Sequence, residues 1–477
     1  MNQNRLPLYE SLVNFFNKQP ISFHVPGHKN GFLFQKATTD ILEFMKYDVT
    51  ELTGLDDLHS PSGPILEAQQ LLTNYYGTRK SYFLVNGSTV GNLIMVLSAF
   101  KEGDCVLVQR NCHKSILNAL MLANVNPIFL TPAIDEQVLV PGCIDSTGIK
   151  EAYIQYPDAK GCILTYPSYY GMTADLREII NIVHQHNGIV LVDEAHGPHF
   201  RLGSPFPMSA IDLGADMIVQ SAHKMLPAMT MGSYLHINSD VISLDKVEYY
   251  YSALQSSSPS YPIMASLDFA RYFISTFSHE DMNYTIKQRN QFIDDLSRLE
   301  GIKVVESIYG QDPLKVLVRY EGYSGFEFQQ LLEDEGVYTE MADPYQVVMI
   351  LPLLKKEMVY FYREAIDRIK QALRKNKPHQ KQIKRVFIET ENNISCLMMS
   401  YDEMKDKPFE WVSFDNAINR VAAKMIIPYP PGIPIILPGE MITNKKIKLI
   451  KGLMRVQAKF QDESMRIMKE EIAVFKE

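Results

Sequence analysis

The sequence predicts an α/β chain whose larger part is a mostly parallel, seven-stranded sheet and whose C-terminal part is a smaller α+β domain. Three observations carry this. Short apolar runs at 82–85, 106–108, 128–130, 162–165, 189–192, 217–219 and 233–237 alternate with helical stretches, as strands buried on both faces and joined by crossovers do. Several runs end in turns rich in Gly, Ser, His or Asp, at the position where open α/β sheets gather ligand groups. From Gly301 the pattern changes to GIKVVES, LKVLVRY and YQVVMILP around the helical GFEFQQLLEDEG.

With 477 residues, 46% of them hydrophobic and 21% charged, the chain can bury a large core and divides into two or three domains. The expected division is an N-terminal arm with site loops (1–64), a ligand-binding large domain (65–299) and a C-terminal α+β domain (300–477). A net charge of −8 gives no basic field to attract nucleic acid. MNQNRLPLYESLVNFF lacks the pattern of a signal peptide and no run of about 18 apolar residues occurs, so a cytoplasmic protein without membrane contact is expected. Five scattered cysteines without CxxC pairing argue against a disulfide framework or a zinc site.

In chain order, residues 1–20 predict an amphipathic helix with Leu8, Leu12, Phe15 and Phe16 on one face, ending at Pro20. His24 and His28 stand four apart, but Pro26-Gly27 between them forbids the helix that would align two metal ligands, leaving a polar turn or a loop lining a site. Residues 48–64, DVTELTGLDDLHSPSGP, read as an acidic loop, and 65–76 as a helix. The strand at 82–85 then turns through Asn86-Gly87-Ser88-Thr89 into a helix, presenting backbone N–H groups and hydroxyls to an anion. An ordinary capped helix start is the alternative. His113 follows the strand at 106–108 and can reach the same sheet edge, as a flat ring to stack on a ligand or as a hydrogen-bonded surface residue. Asp175 caps a helix running to Asn187, Tyr272 to about Leu299 reads as one helix, Arg374–Lys384 as a polar linker, and the five prolines between 428 and 438 as an extended, rigid segment. Glu440 at its end is either exposed or meets a cationic substrate tail.

The chemistry concentrates between Leu191 and Leu226. One strand ends in Asp193 and another, at 217–219, runs into Gln220-Ser221-Ala222-His223-Lys224, so a carboxylate and a lysine emerge at neighbouring strand ends. That pair suits pyridoxal phosphate: the lysine forms the Schiff base, the carboxylate pairs with the protonated pyridine nitrogen, and a strand-end turn holds the phosphate. Asp193-Glu194-Ala195-His196 also spells the DEAH of a helicase ATPase, but Gly-Lys occurs nowhere in the chain, so no P-loop accompanies it. His196 and His199 are separated by Gly197-Pro198, which breaks the helix that a metal pair needs.

FHVPGHKNG, GLDDLHSPSG, YFLVNGSTVGN, QRNCHKS, YPSYYG, LVDEAHGPH, VQSAHK, SSSPSYPIMASLD and PYPPGIP with PGE follow one another from residue 23 to about 440. In these blocks the chain resembles the Orn/Lys/Arg decarboxylase family, pyridoxal-phosphate enzymes of fold type I, in a short form without the N-terminal wing domain. The resemblance implies Lys224 as the Schiff-base lysine, Asp193 as the pyridine-nitrogen partner, His113 as the ring-stacking histidine and His196 beside the ring. It implies that Gly87, Ser88, Thr89, Ser221 and His223 hold the phosphate, and that Ser257 and Ser258, in a hydroxyl-rich loop lying too soon after the strand at 233–237 to fold back easily across its own site, reach the phosphate of a partner subunit in a homodimer. The activity expected is decarboxylation of lysine, arginine or ornithine, feeding polyamine synthesis, with Lys224 or His223 returning a proton to Cα. An aminotransferase or aldolase would share Asp193 and Lys224, and a non-catalytic cofactor-binding protein would bind without turnover.

Overall fold

Val190, Leu191 and Val192 are fully buried in the strand Ile189–Asp193, and each such side chain contributes roughly 1.5–3 kcal/mol on leaving water. The computed structural model describes residues 1–34, 38–379, 393–428, 432–456, 458–461 and 465–476. Two compact units emerge, Met1–Ala99 with Ile189–Ser278 and Phe100–Gly188 with His279–Glu477.

In the first unit four strands lie in the order Lys80–Leu84, Ser233–Ile237, Met217–Gln220, Ile189–Asp193. Ile189–Asp193 and Met217–Gln220 run parallel, with Asp193 opposite Val219, while the other two pairings are antiparallel. The helix Gly87–Ala99 packs on the two middle strands. It sits so close that a Cβ on Gly91 would fall 2.4 Å from Val219 Cγ2 and 2.7 Å from Leu84 Cδ1, so only glycine serves there. The N-terminal helix Pro7–Asn17 buries Leu8 and Leu12. It is fastened by a fully buried pair, Asp268 and Arg271, 2.6 Å apart: Asp268 accepts from Leu8 N at 3.1 Å and Arg271 donates to the Gln3 carbonyl at 2.7 Å.

The second unit supplies the other three expected strands, Gly161–Thr165, Cys105–Gln109 and Asn126–Leu130, all parallel. A strand that the sequence did not announce, Ile394–Cys396, adds antiparallel to Asn126–Leu130. A separate antiparallel sheet runs Met341–Ala342, Val347–Ile350, Lys315–Tyr320, Ile302–Val305, and a further pair, Phe409–Ser413 with Glu471–Phe475, closes over a core that includes Phe414, Ile436 and Ile450. The fold class is therefore the α/β large sheet with α+β elements that the patterning predicts.

One expected element is corrected. The single helix over 272–299 is two, Tyr261–Ser275 and His279–Ser297, and the break falls where the Ser275 and Thr276 hydroxyls both donate back to the Tyr272 carbonyl, at 3.1 and 2.7 Å, in competition with the helix ladder. Of the expected polar linker, Arg374 and Lys375 complete the helix Tyr362–Lys375, and 380–384 lie outside the described residues, as do 429–431 of the proline-rich run. No helix among the described residues is long and apolar enough to cross a membrane.

Candidate active site

The parallel pairing of Ile189–Asp193 with Met217–Gln220 brings two turns together in the first unit. Asp193, 4% exposed, is held from two sides by neutral donors: Asn92 Nδ2 to Oδ2 at 2.9 Å and Ala195 N to Oδ1 at 3.2 Å. Beyond Gln220, Ser221 leads into the short helix Ala222–Met225, which carries His223 and Lys224. Lys224 Nζ lies 3.1 Å from His196 Nε2. An ammonium only donates, so His196 accepts at Nε2 and carries its own proton on Nδ1. His223 Nδ1 faces the Gly232 carbonyl at 3.0 Å and so is the protonated nitrogen of that ring.

The turn after Lys80–Leu84 joins the same cluster. Gly87 opens the helix Gly87–Ala99 with φ +79°, a left-handed conformation that favours glycine. Ser88 Oγ then lies 2.7 Å from Ser221 Oγ, and Thr89 is exposed in the first helical turn. The hydroxyl-rich loop is docked on its own chain: Val85 N donates to Gln255 Oε1 at 2.8 Å, Ser256 N to Asn86 Oδ1 at 3.2 Å, and His59 Nε2 meets the Ser256 carbonyl at 2.8 Å. The loop expected to lie too soon after 233–237 to fold back easily across its own site thus reaches the end of the strand Lys80–Leu84 of its own chain, a glutamine side chain spanning the gap. Ser257 and Ser258 are exposed. In the loop at 48–64, Asp56 accepts from the backbone N–H groups of Ser62, Gly63, Ile65 and Leu66, which is structural work rather than ligand binding. His28 uses Nε2 on Asp48 and Nδ1 on Gly31 N.

His113 belongs to the second unit, where it caps the helix Lys114–Leu122 and meets Ser115 Oγ at 2.8 Å through Nδ1. Glu440 fits neither of its two expected roles. It is 5% exposed, receives Arg110 Nε and Nη2 at 3.0 Å each and Lys446 Nζ at 3.0 Å, and ties the end of the strand Cys105–Gln109 to the proline-rich segment. Arg110 also donates to the carbonyls of Pro434 and Ile435.

The first unit's donor set fits pyridoxal phosphate. Two hydroxyls at a helix N-terminus and after a strand suit a phosphate; a buried carboxylate contacted by neutral donors suits a protonated ring nitrogen; Lys224 supplies the amine. Asn92 is a site residue that the sequence reading missed. It sits inside the block YFLVNGSTVGN, but its contact with Asp193 spans 101 positions and depends on the rotation of a helix, which no local pattern encodes.

The fold and this cluster define a fold type I, pyridoxal-phosphate-type architecture. The solved constitutive lysine decarboxylase of Escherichia coli superposes with TM-score 0.78 at 19% identity, over 99% of this chain and 82% of that one. A serine palmitoyltransferase solved with the cofactor gives 0.52 at 17% identity, over 65% and 77%. Residues 6–312 match the major domain of the Orn/Lys/Arg decarboxylases and residues 380–463 their C-terminal domain. The chain therefore belongs to the Orn/Lys/Arg decarboxylase family and is an amino-acid decarboxylase. It is 45% identical over 479 residues to the uncharacterized protein YaaO of Bacillus subtilis, covering 98% of each chain. To an arginine decarboxylase of Bacillus subtilis it is 32% identical, covering 94% of each.

Proposed function

We propose that the protein decarboxylates a basic amino acid with bound pyridoxal phosphate, and that arginine is the first substrate to test. The observation that carries the cofactor reading is the junction of Asp193, Ser221 and Lys224, at two paired strand ends, with Ser88 from the turn after Lys80–Leu84. The substrate reading rests on the relatives, of which those near 32% identity carry the name arginine decarboxylase and those at 23% lysine decarboxylase.

When bound, pyridoxal phosphate supplies the electron sink for the electrons left as CO2 departs. Asp193 would keep the ring nitrogen protonated, with Asn92 and the Ala195 N–H holding the carboxylate in place. Ser88, Thr89, Ser221 and His223 would bind the phosphate together with the N–H groups at Gly87. Lys224 would give up its place to the substrate's amine and then, aimed by His196, return a proton to Cα; His223 is the other candidate donor. His113 as the ring-stacking residue rests on the block QRNCHKS. The direct experiment incubates purified protein with arginine, lysine and ornithine, with and without pyridoxal phosphate, and identifies amine and CO2. A ketoacid or aldehyde without CO2 would refute the reaction assigned.

We also propose a homodimer with shared sites. Ile21, Phe23, Phe32 and Leu33 are 85, 94, 72 and 62% exposed, apolar side chains close together in sequence that a second copy would cover, and Ser257 and Ser258 are exposed. Lys224→Ala mixed with a triple Ser256/Ser257/Ser258→Ala variant should recover about a quarter of wild-type activity in a random mixture of two-fold dimers, about half of which are hybrids with one intact site each. No recovery in hybrids verified by mass spectrometry would mean that each subunit completes its own site.

A further inference from the structure

Directly behind the two strand ends lies a line of buried polar side chains that the reaction does not use. Glu194, Ser209, Gln220 and His236 are all fully buried and Ser81 is 1% exposed. Glu194 Oε2 receives Ser209 Oγ at 2.9 Å and Gln220 Nε2 at 2.5 Å, and Oε1 receives Ala210 N at 2.6 Å. Gln220 Oε1 faces His236 Nε2 at 3.2 Å, His236 Nδ1 faces Ser81 Oγ at 2.8 Å, and Ser81 Oγ faces Thr78 Oγ1 at 2.7 Å.

With Gln220 donating to Glu194, one assignment of donors satisfies the whole line. A carboxyl oxygen accepts from Gln220, so the amide nitrogen points to Glu194 and the amide oxygen to His236. His236 must then carry its proton on Nε2 and accept at Nδ1 from Ser81, which accepts from Thr78. Burial pushes the His236 imidazole down to about 3, so it stays neutral. Burial likewise raises Glu194 to about 8 against the three donors that favour its charge, but with or without a proton Oε2 keeps a lone pair for Gln220. A proton on Oε2 aimed at Gln220 would, however, flip that amide and reverse the line, so its direction is that of a carboxyl whose proton, when present, points to Ser209 Oγ.

Its placement is what matters. Glu194 immediately follows Asp193, and Gln220 immediately precedes Ser221. The backbone laces the same turns, Glu194 N to the Val219 carbonyl at 2.9 Å and Ser221 N to the Ala195 carbonyl at 3.3 Å. One side of this clamp carries Asp193 and His196, the other Ser221, His223 and Lys224. The parallel strand ladder already holds the strands together, and an apolar pair at 194 and 220 would pack there without the cost of burying a carboxyl.

We propose that Glu194 is a positioning residue, which through Gln220 and the His236 tautomer clamps the turn bearing Asp193 to the turn bearing Lys224 and so sets the alignment of carboxylate with amine. The proposal rests on the site reading above. In Glu194→Gln one amide cannot accept at both oxygen positions. Either its NH2 opposes Ala210 N–H, or Gln220 flips and drives the His236 proton to Nδ1. The double variant Glu194→Gln with Gln220→Glu exchanges carboxyl and amide and restores the line from position 194 through 220 to His236, with Ser209 Oγ accepting from the amide at 194.

The test has three readings. In wild-type protein labelled with 15N-histidine, His236 should be the neutral Nε2–H tautomer; Nδ1–H would overturn the proposal even if no variant folds. Glu194→Gln loaded with pyridoxal phosphate should shift the midpoint of its visible-absorption pH titration and lose roughly 10- to 100-fold in kcat, the scale of a small misalignment, with KM changed less than about threefold. The exchanged double variant should recover most of both. Wild-type titration and kcat in Glu194→Gln, whatever its melting temperature, would refute the clamp. Borohydride mapping separates the two readings: a pyridoxyl group on a peptide other than that of Lys224 defeats the site, whereas its presence on Lys224 with unchanged Glu194→Gln behaviour defeats the clamp alone.

Discussion

Glu194 in the first unit and Glu440 in the second are both buried carboxyls, and their surroundings answer the cost of burial in opposite ways. Glu440 meets two cations, Arg110 and Lys446, which hold its carboxyl below the ordinary range despite burial. Glu194 meets only neutral donors among its hydrogen-bond partners, and burial outweighs them. The first arrangement is a staple that joins distant chain segments. The second places a carboxyl one residue from Asp193, where a full counter-charge would compete for the anion that the proposed chemistry needs. Charge pairing serves assembly in one region, and its avoidance serves the site in the other.

The sharpest break of this contrast lies in the site itself. Lys224→Ala should abolish measurable decarboxylation while leaving the thermal transition close to wild type, and borohydride treatment of loaded wild-type protein should fix the pyridoxyl group on the Lys224 peptide. Glu440→Gln should act on stability instead. It removes the carboxylate charge that Arg110 and Lys446 share, and breaking a buried pair costs about 3 kcal/mol at the low end. The low end applies because those side chains are still 13 and 17% exposed and water screens them in part. Urea unfolding measures it, and a change below about 1 kcal/mol would show that the staple is incidental. Asp193→Asn should bind the cofactor yet lose at least about 100-fold in kcat, about 2.7 kcal/mol of barrier; near-normal turnover would remove Asp193 from its role.

The same contrast explains what the sequence could and could not tell. Strands buried on both faces write themselves as apolar runs, so Ile189–Asp193 and Met217–Gln220 were legible, and with them Asp193 and Lys224 at their ends. The staple was not legible, because Arg110 and Glu440 lie 330 positions apart and a glutamate after a proline-rich run carries no mark of burial. Asn92 and Gln220 were hidden for a related reason: each reads as a polar residue in a turn or at a strand end, and only the packing of the helix Gly87–Ala99 and the strand Met217–Gln220 gives it a partner. The break between Tyr261–Ser275 and His279–Ser297 escaped because it contains neither Gly nor Pro, and hydroxyl back-bonding leaves a weaker signature.

The smallest effect is also the most discriminating, because the two glutamates should give pH dependences of opposite sign. For Glu440 the folded value lies below the unfolded one, so its contribution to stability is present above the ordinary carboxyl range near 4.5 and is lost as pH falls through the depressed folded value. For Glu194 the folded value, about 8, lies above the ordinary carboxyl value of 4.5. The native state then binds the extra proton, and its contribution is full below 4.5 and declines as pH rises towards 8. One proton limits the slope to about 1.4 kcal/mol per pH unit. Unfolding free energies of wild type and Glu194→Gln, measured from pH 5 to 8.5, should differ in slope, with wild type losing stability relative to the variant as pH rises and the two curves running parallel above about 8. Glu440→Gln should instead parallel wild type throughout that window and converge on it only below about pH 4.5. A Glu194→Gln curve parallel to wild type from pH 5 to 8 would mean that the three donors hold Glu194 ionised, and that neutral hydrogen bonds alone can meet the cost of burying its charge.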